Sequence, residues 1–84
     1  MFKVEGLIDA KTDAFSAWLK KNEIEHEVID AIPSEYIFQV DIIESINYQY
    51  MPHLGKHLFT PIGCNDVNNA YMIHSDDLYR VVIE

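Results

Sequence analysis

Residues 23–42 read EIEHEVIDAIPSEYIFQVDI. Over 23–32, Ile24, His26, Val28 and Ile32 hold one parity, and Glu23, Glu25 and Glu27 hold the other. Over 36–42 the even positions Tyr36, Phe38, Val40 and Ile42 are apolar. Successive side chains of a strand point to opposite faces, so both segments read as half-buried strands, with a turn at Pro33 and Ser34. Register decides how they pair. A two-residue loop sets Glu27 against Val40 and Glu25 against Ile42, which mixes the faces. An odd loop, Pro33-Ser34-Glu35, pairs Ile32 with Tyr36, Val28 with Val40 and His26 with Ile42. A slip of one residue exchanges every face, so the odd loop is expected.

Outward from this hairpin, the first eight residues form a strand carrying Phe2, Val4, Leu7 and Ile8, where Gly6 signals a bulge or a close backbone approach. A helix follows over Ala10–Lys21. Asp9 or Thr12 is positioned to cap its start, and Ala14, Phe15, Trp18 and Leu19 make one apolar stripe. Lys20 and Lys21 complement the dipole in the last turn, and Asn22 is the expected left-handed stop.

After the hairpin, residues 41–51 continue the strand parity through Ile42, Ile46, Tyr48 and Tyr50, broken only at Glu44. A strand bent or bulged near Glu44 is expected. A helix capped by Asp41, with Glu44 completing a capping box, is the alternative, and it would make the order ferredoxin-like, β-α-β-β-α-β. Met51–Lys56 reads as loop, and 57–62 as a short strand that Pro61 confines to an edge. Gly63–Asn69 is polar loop. Ala70–His74 and Leu78–Ile83 read as a closing hairpin about Ser75-Asp76-Asp77, with Ile73 opposite Tyr79 and Tyr71 opposite Val81. The expected class is α+β, a single domain over residues 1–84: one N-terminal helix on a mostly antiparallel, curved sheet in the order β-α-β-β-β-β-β.

Composition bounds the function. The chain has 84 residues, 49% hydrophobic and 24% charged, the balance of a globular domain. No apolar run is long enough to span a membrane and no leader precedes the first strand, so a cytoplasmic protein is expected. Cys64 is the single cysteine and cannot form an internal disulfide. Six basic against 14 acidic residues give a net charge of −8, which argues against direct contact with nucleic acid or anionic lipid.

The charge is also unevenly placed. From Asn22 to Gly55 there is no Lys or Arg, yet seven acids occur: Glu23, Glu25, Glu27, Asp30, Glu35, Asp41 and Glu44. In the odd-loop register Glu23, Glu25, Glu27 and Asp41 share the outward face of the hairpin. Residues i and i+2 lie about 6.6 Å apart on a strand, so the glutamates form a row, and Glu27 faces Asp41 as a like charge. A basic partner surface would relieve that repulsion and be steered in by it; a solvated, solubilising face is the plainer account. Five tyrosines accompany the acids, most on core parity (Tyr36, Tyr48, Tyr50, Tyr71, Tyr79).

In charge and size the chain resembles small acidic inhibitors of nucleic-acid enzymes: phage anti-restriction and anti-CRISPR proteins, DNA mimics and nuclease immunity proteins. This is a likeness of type carried by no motif. It implies a non-enzymatic, cofactor-free module whose carboxylates at Glu23, Glu25, Glu27, Glu35, Asp41 and Glu44 replace phosphates against a partner's basic, nucleic-acid-binding surface. The alternative is a small metal-binding or oligomeric accessory protein. His53 and His57 are spaced i, i+4 with Cys64 seven residues on, and imidazole and thiolate suit zinc, but there is no second cysteine and Pro52 and Gly55 oppose a helix there. A homodimer is the third expectation, with tyrosines and an edge strand buried between copies. Cys64 as a nucleophile with His57 or His74 as base has no flanking signature, and the loop 65–69 lacks the bidentate glutamate of a calcium site. His26 has no partner that the sequence identifies.

Overall fold

A computed structural model describes residues 1–30, 37–44, 46–64 and 66–84. The order is β1 (Phe2–Ile8), α1 (Asp9–Lys21), β2 (His26–Asp30), β3 (Ile37–Ile42), β4 (Ile46–Met51), β5 (Lys56–Pro61), β6 (Tyr71–His74) and β7 (Arg80–Ile83), with short 3-10 turns at Val67–Asn69 and Ser75–Asp77. The class is α+β, one helix on antiparallel strands as expected, but with seven strands rather than six, because the strand expected to run bent through Glu44 is two, β3 and β4. The strands divide between two sheets, β2-β3-β1-β7 and β4-β5-β6.

The register of β2 on β3 is the one that keeps the faces together: His26 opposite Ile42, Glu27 opposite Asp41, Val28 opposite Val40. The turn expected at Pro33-Ser34-Glu35 lies outside the described residues. β3 stops at Ile42, the chain bends at Glu44, and β4 resumes in the other sheet. The segment 46–51 is therefore a strand, and the ferredoxin-like order is not adopted.

β1 is the centre of the larger sheet. It shifts register against β3 between Val4 and Leu7, and Gly6 sits there with φ +74°. A Cβ on Gly6 would lie 2.5 Å from Tyr79 Cβ, so both readings of this glycine hold: it is a bulge and a close approach.

The helix packs across β1, β2 and β3, burying Thr12, Phe15 and Leu19, with Trp18 half-buried. Neither expected cap operates. Ile8 occupies the N-cap, and the Thr12 hydroxyl turns back to donate to the Ile8 carbonyl at 3.1 Å. The stop is displaced by one residue. Asn22 has φ −95° and Glu23 carries the left-handed φ of +58°. Glu23 N–H donates to Lys20 O at 3.0 Å and Ile24 N–H to Leu19 O at 2.9 Å, a Schellman closure with Ile24 and Leu19 both buried.

Two further expectations are corrected. Pro61 does not place β5 at an edge: β5 is the central strand of its sheet. β6 pairs with it only over Lys56–Phe59, so Pro61 meets no donor requirement from that side. Residues 70–83 do not form a hairpin. β6 pairs with β5, and β7 pairs with β1 in the other sheet. Ser75 N–H donates to Gly55 O at 2.8 Å and Tyr79 N–H to Glu5 O at 2.9 Å, so each end of the intervening turn is held by a different sheet.

The core lies between the inner faces of both sheets and the helix. Val4, Leu7, Val40 and Ile42 supply the aliphatic side, and Ile46, Phe59 and Ile73 the other. Phe15 bridges them, 5.1 Å from the Phe59 ring and 5.3 Å from that of Tyr71. Among the tyrosines, Tyr48 and Tyr71 pack on the core as expected, whereas Tyr50 and Tyr79 are exposed; Tyr36 lies outside the described residues.

Candidate functional site

The outward face of the larger sheet is built from odd positions of β2 and β3. Its opposite face is fixed by His26, whose ring reaches the helix, so Glu25 and Glu27 point to solvent. Glu25 precedes β2 by one residue, and its carbonyl still accepts from Ile43 N–H at 2.8 Å, which extends the ladder. Glu27 stands opposite Asp41 and Asp41 opposite Lys3. Lys3 in turn stands opposite Val82. One row thus crosses all four strands.

The structure brings Glu25, Glu27 and Asp41 together on this face and separates the other expected members. Glu23 belongs to the helix closure rather than to the strand, so the row of three evenly spaced glutamates is interrupted. Glu44 is exposed in the bend after β3. Glu35 lies outside the described residues, and the same holds for the side chain of Asp30.

Two halves of the face differ in how their acids are partnered. On β1 and β7, Arg80 Nε donates to Glu5 Oε2 at 2.6 Å, and Lys3 Nζ lies 3.3 Å from Glu84 Oε1. The paired carboxylate raises the pKa of the Arg80 guanidinium further. On β2 and β3, no described Lys or Arg comes within ion-pair distance of Glu25, Glu27 or Asp41. Asp41 Oδ1 accepts a bond from Gln39 Nε2 at 2.6 Å. Lys3, although opposite Asp41, is paired with Glu84. Sequence reasoning missed Lys3 and Arg80, because the cross-strand pairing that makes them neighbours of these acids joins positions far apart in the chain; Gln39 was legible, two residues from Asp41 on the same strand face.

Three other clusters carry polar chemistry. Ser16 Oγ lies 2.7 Å from His26 Nε2, and His26 Nδ1 lies 2.9 Å from Ile24 O. A carbonyl only accepts, so Nδ1 carries a proton directed at Ile24 O, and Nε2 is left to bond the Ser16 hydroxyl. This pair ties helix to strand. The Trp18 indole N–H donates to Asn69 O at 3.0 Å, Asn69 Nδ2 to Asn22 Oδ1 at 2.6 Å and Asn22 Nδ2 to Trp18 O at 2.8 Å, which pins the helix end to the loop before β6. In the smaller sheet Tyr48 Oη is 2.6 Å from His57 Nδ1, and the Tyr50 ring stacks on His57 at 4.6 Å. Burial lowers the His57 pKa and raises that of Tyr48. Paired residues Tyr50 and His57 flank the Pro52–Gly55 turn in β4 and β5, a signal present in the parity of both segments.

The expected metal trio is not assembled. His53 lies in the turn before β5 and Cys64 beyond its far end, while the His57 ring is engaged by Tyr48. Among the described residues no group of three or more His, Cys, Asp or Glu converges. No helix among them is long and apolar enough to cross a membrane. No family model matches the sequence, and no curated protein or solved structure is detectably similar to it.

Proposed function

We propose that this protein is a non-enzymatic acidic interaction module that occupies a basic surface on a partner, of the kind that binds nucleic acid. The observation carrying this reading is the contrast within one sheet face: Glu5 and Glu84 have cations, whereas Glu25, Glu27 and Asp41 do not. Like charges held opposite one another in a ladder destabilise it. Carboxylates in successive positions of adjacent strands offer a partner's Lys and Arg side chains the charge-assisted bonds that phosphates would otherwise accept. Glu23 before β2 and Glu44 after β3, both exposed and at the same end of the antiparallel pair, extend the negative surface, and the net charge of −8 would steer a basic partner toward it.

The test is affinity capture from a cell lysate, washed at rising salt, comparing the native chain with the triple variant E23K/E25K/E27K. The reading expects a nucleic-acid enzyme to be retained by the native chain, released as salt rises, and lost by the variant, whose far-UV spectrum and melting survive. Undiminished capture by the variant would defeat it.

A further inference from the structure

We propose that β7 is a self-association edge, through which two copies pair antiparallel about a two-fold axis at Val82. The hydrogen-bond phase of β7 determines which of its groups are open. Glu84 N–H donates to Met1 O at 2.9 Å, and the Met1 amine donates to Glu84 O at 3.2 Å, so this pair exchanges both bonds. In an antiparallel ladder such pairs alternate with pairs that exchange none. With Lys3 opposite Val82 and Glu5 opposite Arg80, the backbone groups of Val82 and Arg80 face β1. The N–H and C=O of Val81 and Ile83 therefore face away from it, at the edge of the sheet.

That phase is self-complementary. An axis through Val82 sets Val81 opposite Ile83 of the second copy and Ile83 opposite Val81, both as bond-exchanging pairs, and uses all four open groups. Val81 and Ile83 share a face, so each Ile83 side chain, 62% exposed in the single chain, is covered by Val81 of the other copy. The same axis sets Arg80 opposite Glu84 of the second copy. The existing Glu5–Arg80 and Lys3–Glu84 pairs then join into a row of alternating sign across the junction. Charge complementarity favours this edge over the other. At β2, Glu25 and Glu27 would bring two acidic rows together, whereas joining through β7 leaves the two β2 strands at opposite ends of an eight-stranded sheet, seven spacings of about 4.8 Å or roughly 34 Å apart. That is several screening lengths at physiological salt. Three consecutive β-branched residues, Val81, Val82 and Ile83, with neither Pro nor Lys among them, are the composition of an unprotected edge.

Sedimentation equilibrium of the native chain over rising concentration, together with amide exchange, tests the pairing. The expected result is twice the 9.8 kDa chain mass, with the Val81 and Ile83 amides gaining protection as concentration rises. I83P removes an outward N–H and no bond to β1; it should raise the dissociation constant at least about tenfold, a loss of ~1.4 kcal/mol, with an unchanged far-UV spectrum. If that variant fails to fold, the exchange of the native chain decides. A single-chain mass at every concentration overturns the proposal. A doubled mass with freely exchanging Val81 and Ile83 amides also overturns it, since another surface would then be in use. Neither outcome depends on the acidic face binding a partner.

Discussion

The two halves of the outward face of the larger sheet share one backbone geometry and differ in partnering. On β1 and β7 each acid sits beside a cation drawn from elsewhere in the chain: Arg80 for Glu5, Lys3 for Glu84. On β2 and β3, Glu27 faces Asp41, and the stretch from Asn22 to Gly55 contributes no Lys or Arg. Lys3 is opposite Asp41 in register and is paired with Glu84 instead. A solubilising face needs only charge, and interspersed signs serve it well. Segregation of unpaired acids to one half is what an electrostatic docking surface requires. On the proposed reading, the difference puts the partner interface on β2 and β3, while the outward acids beside β1 and β7 are paired within the chain.

The comparison breaks first at the bulge that joins the halves. G6A should be the most damaging single change. A Cβ there would meet Tyr79 Cβ at 2.5 Å and Tyr79 N at 3.1 Å, at a backbone φ of +74°. Left-handed strain and overpacking together should cost about 3 kcal/mol, read as a lower denaturant midpoint. Tyr79, which Glu5 holds by its N–H at 2.9 Å, should be displaced with β7, while the acids of β2 and β3 remain in place.

A smaller, pH-dependent effect is expected from the other sheet. Burial lowers the His57 pKa in the folded chain, whereas the unfolded chain takes up its proton near the ordinary value of about 6.5. Below that value the unfolded state binds more protons, so stability should fall as pH drops from 6.5 toward the lowered folded pKa, and lose nothing more from this group beneath it. Chemical denaturation of the native chain and of H57N between pH 5 and 8 should show this slope in the native chain and a reduced slope in the variant. Equal slopes would remove His57 as its source.

The smallest effect sharpens the role of Glu23. Its φ of +58° is ordinarily a glycine's, so E23G should relieve strain and stabilise by up to about 1 kcal/mol, reduced by the greater freedom of glycine when unfolded. E23A removes the charge but keeps the strain. If both variants lower partner capture equally while only E23G raises the melting temperature, the carboxylate serves binding; if neither alters capture, the interface is confined to Glu25, Glu27 and Asp41.

Much of the larger sheet was legible in the sequence, because period-two alternation and a single admissible register fixed β2 on β3 from residues 23–42 alone. The same alternation misled at 70–83. It identifies β6 and β7 as strands but is silent on their partners, and β5 and the open edge of β1 matched them as well as they matched each other. The helix stripe was readable from Phe15, Trp18 and Leu19, whereas its ends were not. Thr12 satisfies its hydroxyl at the Ile8 carbonyl, and the closing bonds to Lys20 and Leu19 fall where Glu23, not Asn22, must turn left-handed. The acidity of the site was equally visible. Its division into partnered and unpartnered halves was not, since Lys3 and Glu84, or Glu5 and Arg80, become neighbours only through β1 and β7.

The central claim is tested most directly by backbone amide shifts during titration with a short Lys/Arg-rich peptide at low and then physiological salt. The account predicts perturbations concentrated at Glu25, Glu27 and Asp41, weakening as salt rises and abolished in E23K/E25K/E27K. Perturbations of equal size at Glu5 and Glu84, or none on β2 and β3, would contradict it.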